Sequence, residues 1–361
     1  MRASIGMKTI CSIKAYLRNL RNSARKRGFS LLAMNVFCLL WFGVAIAEDL
    51  DAVQESVSFQ PAPTASTVQH GQEWMREIPR VQGTPRVQET PQVQEAPQVQ
   101  EALGDRLLSE LSIPGTHDSC ALLNGFSFGY AKCQSWPLEQ QLNAGIRFLD
   151  IRCRHLSDKF QIYHGVIDQK MSFQNVLRIC DDFLRKHPSE CLVMSVKEES
   201  SSEGVTRTFR ETFLEEINPW KNRWMISGKT PTLNEARGHI VLVDRVGNLG
   251  GLDWRNMNRQ DDYQALPEVK QEKIKQHFVS RASAVEDGWF LNYCSGTVPS
   301  RFLNPKAYAS IINPFLLREL RQNRSRTLGV VVMDFPGDSL VQQIIQANFQ
   351  TSENELQRSE D

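Results

Sequence analysis

The first 47 residues contain no aspartate or glutamate, although they carry eight of the chain's 42 arginines and lysines. A stretch so free of acid reads as a targeting segment rather than as the start of a folded body. Its basic residues run through Arg25, Lys26 and Arg27, and an uncharged, mostly apolar run occupies residues 29–47. Small side chains at Ala45 and Ala47 suit signal-peptidase cleavage after Ala47, and Met7 offers a downstream start. The same run is long enough to remain as a membrane-spanning helix held at its basic end. Either way the protein is expected to be exported, secreted or periplasmic, or tethered to the cell envelope.

The rest of the chain lacks a basic excess. With the head set aside, 34 basic residues face 41 acidic ones, a balance near −7. That excludes nucleic acid as the main partner, because a phosphate backbone calls for a basic footprint. Close cysteine pairs are also lacking. Cys120, Cys133, Cys153, Cys180, Cys191 and Cys294 are too dispersed for a zinc module. One or two disulfides remain open in an oxidising compartment, with Cys120 and Cys133 nearest in sequence, and buried free thiols are the equal alternative. A packing period is missing between Glu48 and about Gln100. There a Pro-x-Val-Gln unit recurs every six residues, at Pro79, Pro85, Pro91 and Pro97. Proline at that spacing interrupts helix hydrogen bonding and favours extended chain, and one valine per repeat builds no core. Residues 1–47 are thus expected to be signal peptide or anchor, 48–102 a disordered linker and 351–361 a polar tail.

The folded body is expected from near Leu103. Apolar strand candidates at 146–152, 191–197, 240–245 and 329–334 alternate with helical spacing at 173–186 and 205–217. Buried β-branched strands punctuated by helices indicate an α/β protein. Charge gathers at or near the C-terminal ends of these strands: Asp150 with Arg152, Lys197, Asp244 with Arg245, and Asp334. A parallel barrel collects such ends in one mouth. Residues 103–350 are therefore expected to form a single TIM-type (β/α) barrel, irregular where the crossover helices are weak.

Three segments carry candidate chemistry. Ser112-Ile113-Pro114-Gly115-Thr116-His117-Asp118-Ser119 turns just past a short strand and presents His and Asp side by side. Asp150 and Arg152, two apart on a strand, face the same side. Tyr163-His164-Gly165 supplies a second histidine. This set suits phosphodiester cleavage by an internal hydroxyl. One imidazole removes the hydroxyl proton, the other protonates the leaving alkoxide, and a guanidinium holds the non-bridging oxygens. His117, His164 and Arg152 form its core, with Asp118 and Asp334 behind them. Since the chain has seven histidines, a structural His–Asp hydrogen bond is the plainer alternative.

These segments, in this order, resemble the bacterial phosphatidylinositol-specific phospholipase C family. The opening block 112–119, the strand Gly145-Ile146-Arg147-Phe148-Leu149-Asp150-Ile151-Arg152, and His164-Gly165 carry most of the resemblance. Val196-Lys197-Glu198-Glu199, Val241-Leu242-Val243-Asp244-Arg245 and Gln260-Asp261-Asp262-Tyr263 extend it, and Asn292-Tyr293 and Val332-Met333-Asp334-Phe335 match less tightly. The resemblance implies His117 as general base toward the inositol 2-hydroxyl, with Asp334 supporting it, and His164 as general acid for the diacylglycerol oxygen. It implies that Arg152 grips phosphate with Asp118 held against it, and that Lys197, Arg245, Asp261 and Tyr263 line the headgroup pocket. Diacylglycerol and a cyclic inositol phosphate would be the products, from phosphatidylinositol or a glycosyl-inositol phospholipid at a membrane surface, and the protein would act as a monomer. Calcium-dependent relatives place a carboxylate where this chain has Arg152, so neither metal nor other cofactor is expected, with calcium held by the neighbouring Asp150 and Glu199 as the alternative. Trp220, Trp224, Trp254 and Trp289 are candidates for membrane contact or for the core. Two other readings stay open: an inositol-lipid binding module without turnover, and a metal-dependent glycerophosphodiesterase, which would need carboxylate ligands near the first histidine.

Overall fold

A computed structural model of the chain describes residues 73–75, 103–284, 288–322 and 327–349. The chain divides into two units, Met1–Ala62 and Pro63–Asp361, and every described residue lies in the second. The expected targeting segment, the Pro-x-Val-Gln repeats and the polar tail fall outside the described residues.

Eleven strands are described: β1 (Ile113–Thr116), β2 (Phe148–Leu156), β3 (Lys159–His164), β4 (Ile167–Ser172), β5 (Leu192–Glu203), β6 (Trp224–Met225), β7 (Ile240–Asp244), β8 (Leu252–Asp253), β9 (Asn258–Gln260), β10 (Phe290–Tyr293) and β11 (Val330–Met333). The helices are α1 (Leu138–Ala144), α2 (Phe173–Lys186), α3 (Phe209–Ile217), α4 (Leu233–Ala236), α5 (Pro267–Ala282), α6 (Pro305–Gln322) and α7 (Asp338–Gln346).

The helices follow from local chemistry. In α2, Phe173, Val176, Leu177, Cys180, Phe183 and Leu184 recur at helical spacing and are buried. Its N-cap Ser172 accepts from the Asn175 N–H, and Arg185 and Lys186 sit in the last turn, where cations meet the negative end of the helix dipole. Helix α3 starts at Phe209, four residues later than the sequence spacing suggests. Thr208 and Glu211 form a capping box that fixes its first turn there.

The strands β6-β7-β5-β2-β1-β11-β10-β9 lie side by side in that order, all parallel. Short β8 takes the upper part of the β7 edge, beyond β6. Eight places are therefore filled around a curled sheet, with no ladder between β9 and β6 or β8 among the described residues. This is an irregular α/β barrel. The four-residue strands β1, β10 and β11 are buried throughout, as is β7, so both of their faces are covered.

Two features depart from the sequence reading. Arg152 and Lys197 do not end their strands; β2 and β5 run past the mouth to Leu156 and Glu203, paired along most of that length. An antiparallel hairpin, β3–β4, then folds back on β2 and carries His164 at the end of β3. At the opposite end of the barrel, Trp74 and Met75 are buried, although they lie within the expected linker. Trp74 Nε1 donates to the Gly145 carbonyl at 2.9 Å, and the Met75 N–H donates to Glu190 Oε1 at 2.9 Å. The six cysteines beyond residue 47 are all buried free thiols, so Cys120 and Cys133 form no disulfide. No helix among the described residues is long and apolar enough to cross a membrane.

Candidate active site

The C-terminal ends of the parallel strands converge on one mouth, and the hydrogen bonds there are made between different strands. His117 follows β1 directly, and its N–H donates to the Met333 carbonyl at the end of β11. Its ring Nδ1 lies 2.8 Å from Oδ1 of Asp334. Asp118 has a left-handed φ of +40°, a backbone state that Asp adopts more readily than most residues. The Asp118 side chain pairs with the hairpin, where His164 Nδ1 lies 2.6 Å from Oδ2. The structure thus contains two imidazole–carboxylate pairs, His117–Asp334 and His164–Asp118. In each, the carboxylate engages Nδ1 and leaves Nε2 as the ring's second proton-handling atom.

Cys133 lies between the pairs. Ligand atoms of His117, Cys133 and Asp334 lie within 4.8 Å of one another, and so do those of Asp118, Cys133 and His164. A nitrogen of each histidine is therefore within 4.8 Å of one sulfur, and the two nitrogens are at most twice that distance apart.

Arg152 is held chiefly by Asp150, not by Asp118. Its Nε and Nη2 donate to Asp150 Oδ2 at 3.2 and 3.0 Å, whereas Asp118 lies 3.8 Å away and Glu199 3.5 Å. The expected Arg152–Asp118 association is thus the weaker contact of each residue, because Asp118 is already turned to His164. Asp150 also accepts from Arg245 Nη1 through Oδ1 at 2.9 Å, and from the Asp118 N–H at 3.2 Å. One buried carboxylate therefore aligns two guanidiniums. Lys197 Nζ donates to Glu199 Oε2 at 2.7 Å, and the other oxygen of Glu199 accepts the Gly165 N–H at 2.9 Å. Gly165, at φ +56°, makes the hairpin turn just after His164, a conformation costly for a residue with a Cβ.

Asp261 and Tyr263 follow β9 on an exposed segment of the rim. Lys270 and Gln260 hold that segment in place. The buried Lys270 ammonium donates to Gln260 Oε1 at 3.1 Å and to the Asp262 carbonyl at 3.2 Å. Gly296 presses against Tyr308 and the Tyr263 carbonyl so closely that a Cβ there would lie 2.5 Å from the Tyr308 ring.

Comparison with known proteins shows what this chain is similar to. The family model described as phosphatidylinositol-specific phospholipase C, X domain, matches residues 105–246. A 1-phosphatidylinositol phosphodiesterase of Listeria monocytogenes is 34% identical over 268 residues, covering 67% of this chain and 81% of that protein. The chain belongs to the phosphatidylinositol-specific phospholipase C family. A 1-phosphatidylinositol phosphodiesterase of Staphylococcus aureus is 29% identical, covering 67% of this chain and 90% of that protein. The solved phosphatidylinositol-specific phospholipase C of L. monocytogenes aligns with a TM-score of 0.62 at 28% identity, over 77% of this chain and 98% of that one. A solved S. aureus phosphatidylinositol-specific phospholipase C gives 0.66 at 25% identity, over 78% and 99%.

Within this phospholipase-family barrel, electrostatics separates the two sides of the mouth. Burial disfavours the charged form of His117, but the charge and hydrogen bond of Asp334 outweigh it and raise the ring's pKa above 6.5. Burial likewise opposes ionisation of Asp150. Arg152 and Arg245 overcome it and hold the carboxyl well below the usual range, so it is a permanent anion. Trp254, a candidate for membrane contact on sequence, instead packs beneath Arg245, whose guanidinium carbon lies 4.0 Å from the ring centre. Sequence reasoning left both Cys133 and Asp150 out of the site proper. The signal for Asp150 was available, since it faces the same side of β2 as Arg152.

Proposed function

We propose that this protein cleaves phosphatidylinositol between phosphate and diacylglycerol, using the inositol 2-hydroxyl as nucleophile. The observation that carries this reading is the pair of His–carboxylate couples, at 2.8 and 2.6 Å, at a mouth shared with Arg152. Nε2 of His117 accepts the 2-hydroxyl proton as the oxygen attacks phosphorus, and the raised basicity imposed by Asp334 favours that step. The guanidinium of Arg152, fixed by Asp150, stabilises charge on the non-bridging oxygens. His164 delivers a proton from Nε2 to the departing diacylglycerol oxygen, with Asp118 steadying the imidazolium form. The cyclic inositol phosphate is left in a pocket formed by Lys197, Arg245, Asp261 and Tyr263. No metal enters this scheme, because the Arg152 guanidinium occupies the centre of the Asp118, Asp150 and Glu199 carboxylates, where a hard cation would sit.

The substrate is met at a lipid surface. Phe126, Phe128, Val166 and Phe302 are 72, 57, 74 and 77% exposed. The first two share a loop whose Leu123 N–H bonds Gln169 of the hairpin, and whose Gly129 presses on Asn304, beside Phe302. This apolar rim supports docking on a bilayer, in place of the four tryptophans named on sequence, none of which is exposed. The acid-free basic head and the apolar run ending at Ala47 support export, with the enzyme read as a monomer outside the cytoplasm, free or tethered.

Turnover of phosphatidylinositol and phosphatidylcholine vesicles, with chelator or added calcium, tests the proposal. Wild type is expected to release diacylglycerol from phosphatidylinositol alone, equally in chelator, and His117→Ala to lose roughly 10²–10⁴ in rate. Equal release by both proteins would overturn the mechanism, and loss of wild-type activity in chelator would overturn its metal-free form.

A further inference from the structure

A soft ligand stands among the hard ones of this mouth. Cys133 is fully buried, and its sulfur lies 3.7 Å from His164 Nδ1. Asp118 completes a triad whose ligand atoms lie within 4.8 Å of one another. Its Oδ2 is taken by His164, but Oδ1 is buried with no hydrogen-bond partner. An orphaned carboxylate oxygen in a dry site costs free energy until a donor or a cation meets it. Thiolate, imidazole and carboxylate are together the donor set of zinc, at metal–ligand distances of about 2.0–2.3 Å. A spread of 4.8 Å among donors therefore needs only a small contraction to close around one ion. The side chain of His164, 23% exposed, gives an ion access from the mouth.

We propose that Asp118, Cys133 and His164 form a site for zinc or a similar thiophilic divalent cation, and that its occupancy switches the reaction off. On binding, the Cys133 thiol releases its proton to solvent as the metal–sulfur bond forms. His164 gives Nδ1 to the metal and keeps its single proton on Nε2. A metal-bound ring can pass that proton to the leaving oxygen only by becoming an imidazolate, so it no longer serves as general acid. Arg152, near Asp118, opposes an added cation, and it is the thiolate charge that offsets it. Zinc is favoured over calcium or magnesium, which take oxygen ligands. The neighbouring group His117, Cys133 and Asp334 shares the same sulfur but offers no orphaned oxygen, because Asp334 Oδ1 and Oδ2 accept from His117 and the Gly296 N–H.

The inhibitory half of this proposal rests on His164 being the acid, and the metal site does not, so the two are tested separately. Cobalt added to the full-length protein is expected to give a thiolate-to-cobalt charge-transfer band in the near ultraviolet. Cys133→Ser and His164→Ala should lose that band, and His117→Ala should keep it. Zinc should lower wild-type turnover of phosphatidylinositol vesicles by roughly the 10²–10⁴ of a lost general acid, reversibly with chelator. It should leave Cys133→Ser at its own zinc-free rate. No cobalt band in wild type, or a band that survives Cys133→Ser, would overturn the site. A band lost in His117→Ala and kept in His164→Ala would move the ion to the other pair and overturn the assignment. Zinc binding without loss of turnover would overturn the switch. A protein inactive without zinc would instead refute the proposed reaction, while the cobalt band still decided the metal site.

Discussion

Arg147 immediately precedes β2 and Arg152 lies within it, four residues between them, and the two arginines do opposite things. Arg147 lies at the base of the barrel, fully buried against an equally buried Glu190, with Nε 2.7 Å from Oε2. Its Nη1 donates to the Leu142 and Ile146 carbonyls, its guanidinium stacks on Phe183, and Trp74 and Met75 close the base around the pair. Arg152 lies at the mouth, 12% exposed, among three carboxylates at 3.0, 3.5 and 3.8 Å. The base is closed and saturated, so its charge serves only the fold. The mouth is open and over-supplied with acid, so its arginine is oriented but still faces whatever enters. The difference shows that a buried ion pair reads as a site only when one side remains open and its partners are shared.

That contrast can be broken from either end. Arg147→Ala leaves Glu190 buried without its cation and should cost about 3–5 kcal/mol of stability. Denaturant unfolding would show this, while activity per folded molecule stays near wild type. Arg152→Ala should lower turnover per folded molecule by roughly 10²–10³, as for loss of one transition-state donor, and cost less stability than Arg147→Ala because Arg245 still pairs with Asp150. Trp74→Ala should remove about 3 kcal/mol by opening a cavity at the base, visible as a lower Tm with unchanged KM. The smallest effect concerns pH. His117 must be neutral to act as base, and its pKa is raised, so kcat/KM should fall as pH drops through a value above 6.5. Asp334→Asn removes the attraction that raises it, while burial and Arg152 still lower it, so the acid limb should move to lower pH.

Much of this contrast was legible in the sequence, and the illegible part has a common cause. The barrel could be read because apolar strands ended in charge, and α2 because its apolar residues recur on one face. Arg152 and Asp334 were among the charges read near strand ends, although β2 runs on past Arg152, and His117 was read just past a short strand. His164 was visible only as a residue followed by glycine, and its position depends on a hairpin that folds back on an over-long β2. Neither the length of β2 nor that pairing has a local signature. Asp118 was placed against Arg152 by the family resemblance alone, whereas in the fold its side chain, on a left-handed backbone, meets His164. Cys133 was read only as a disulfide candidate or a buried free thiol, since its place between two ion pairs is a property of the fold. Trp74 and Met75 escaped notice because they are two apolar residues in a stretch without periodicity, docked on a base formed far along the chain.

The division of labour between the two histidines is tested most directly by changing the leaving group. An inositol phosphodiester with an aryl alcohol in place of diacylglycerol departs without needing a proton, but still requires attack by the 2-hydroxyl. His117→Ala should lose roughly 10²–10⁴ in rate on both substrates, whereas His164→Ala should lose that much on phosphatidylinositol and far less on the aryl diester. Equal losses by His164→Ala on the two substrates would contradict its assignment as the general acid.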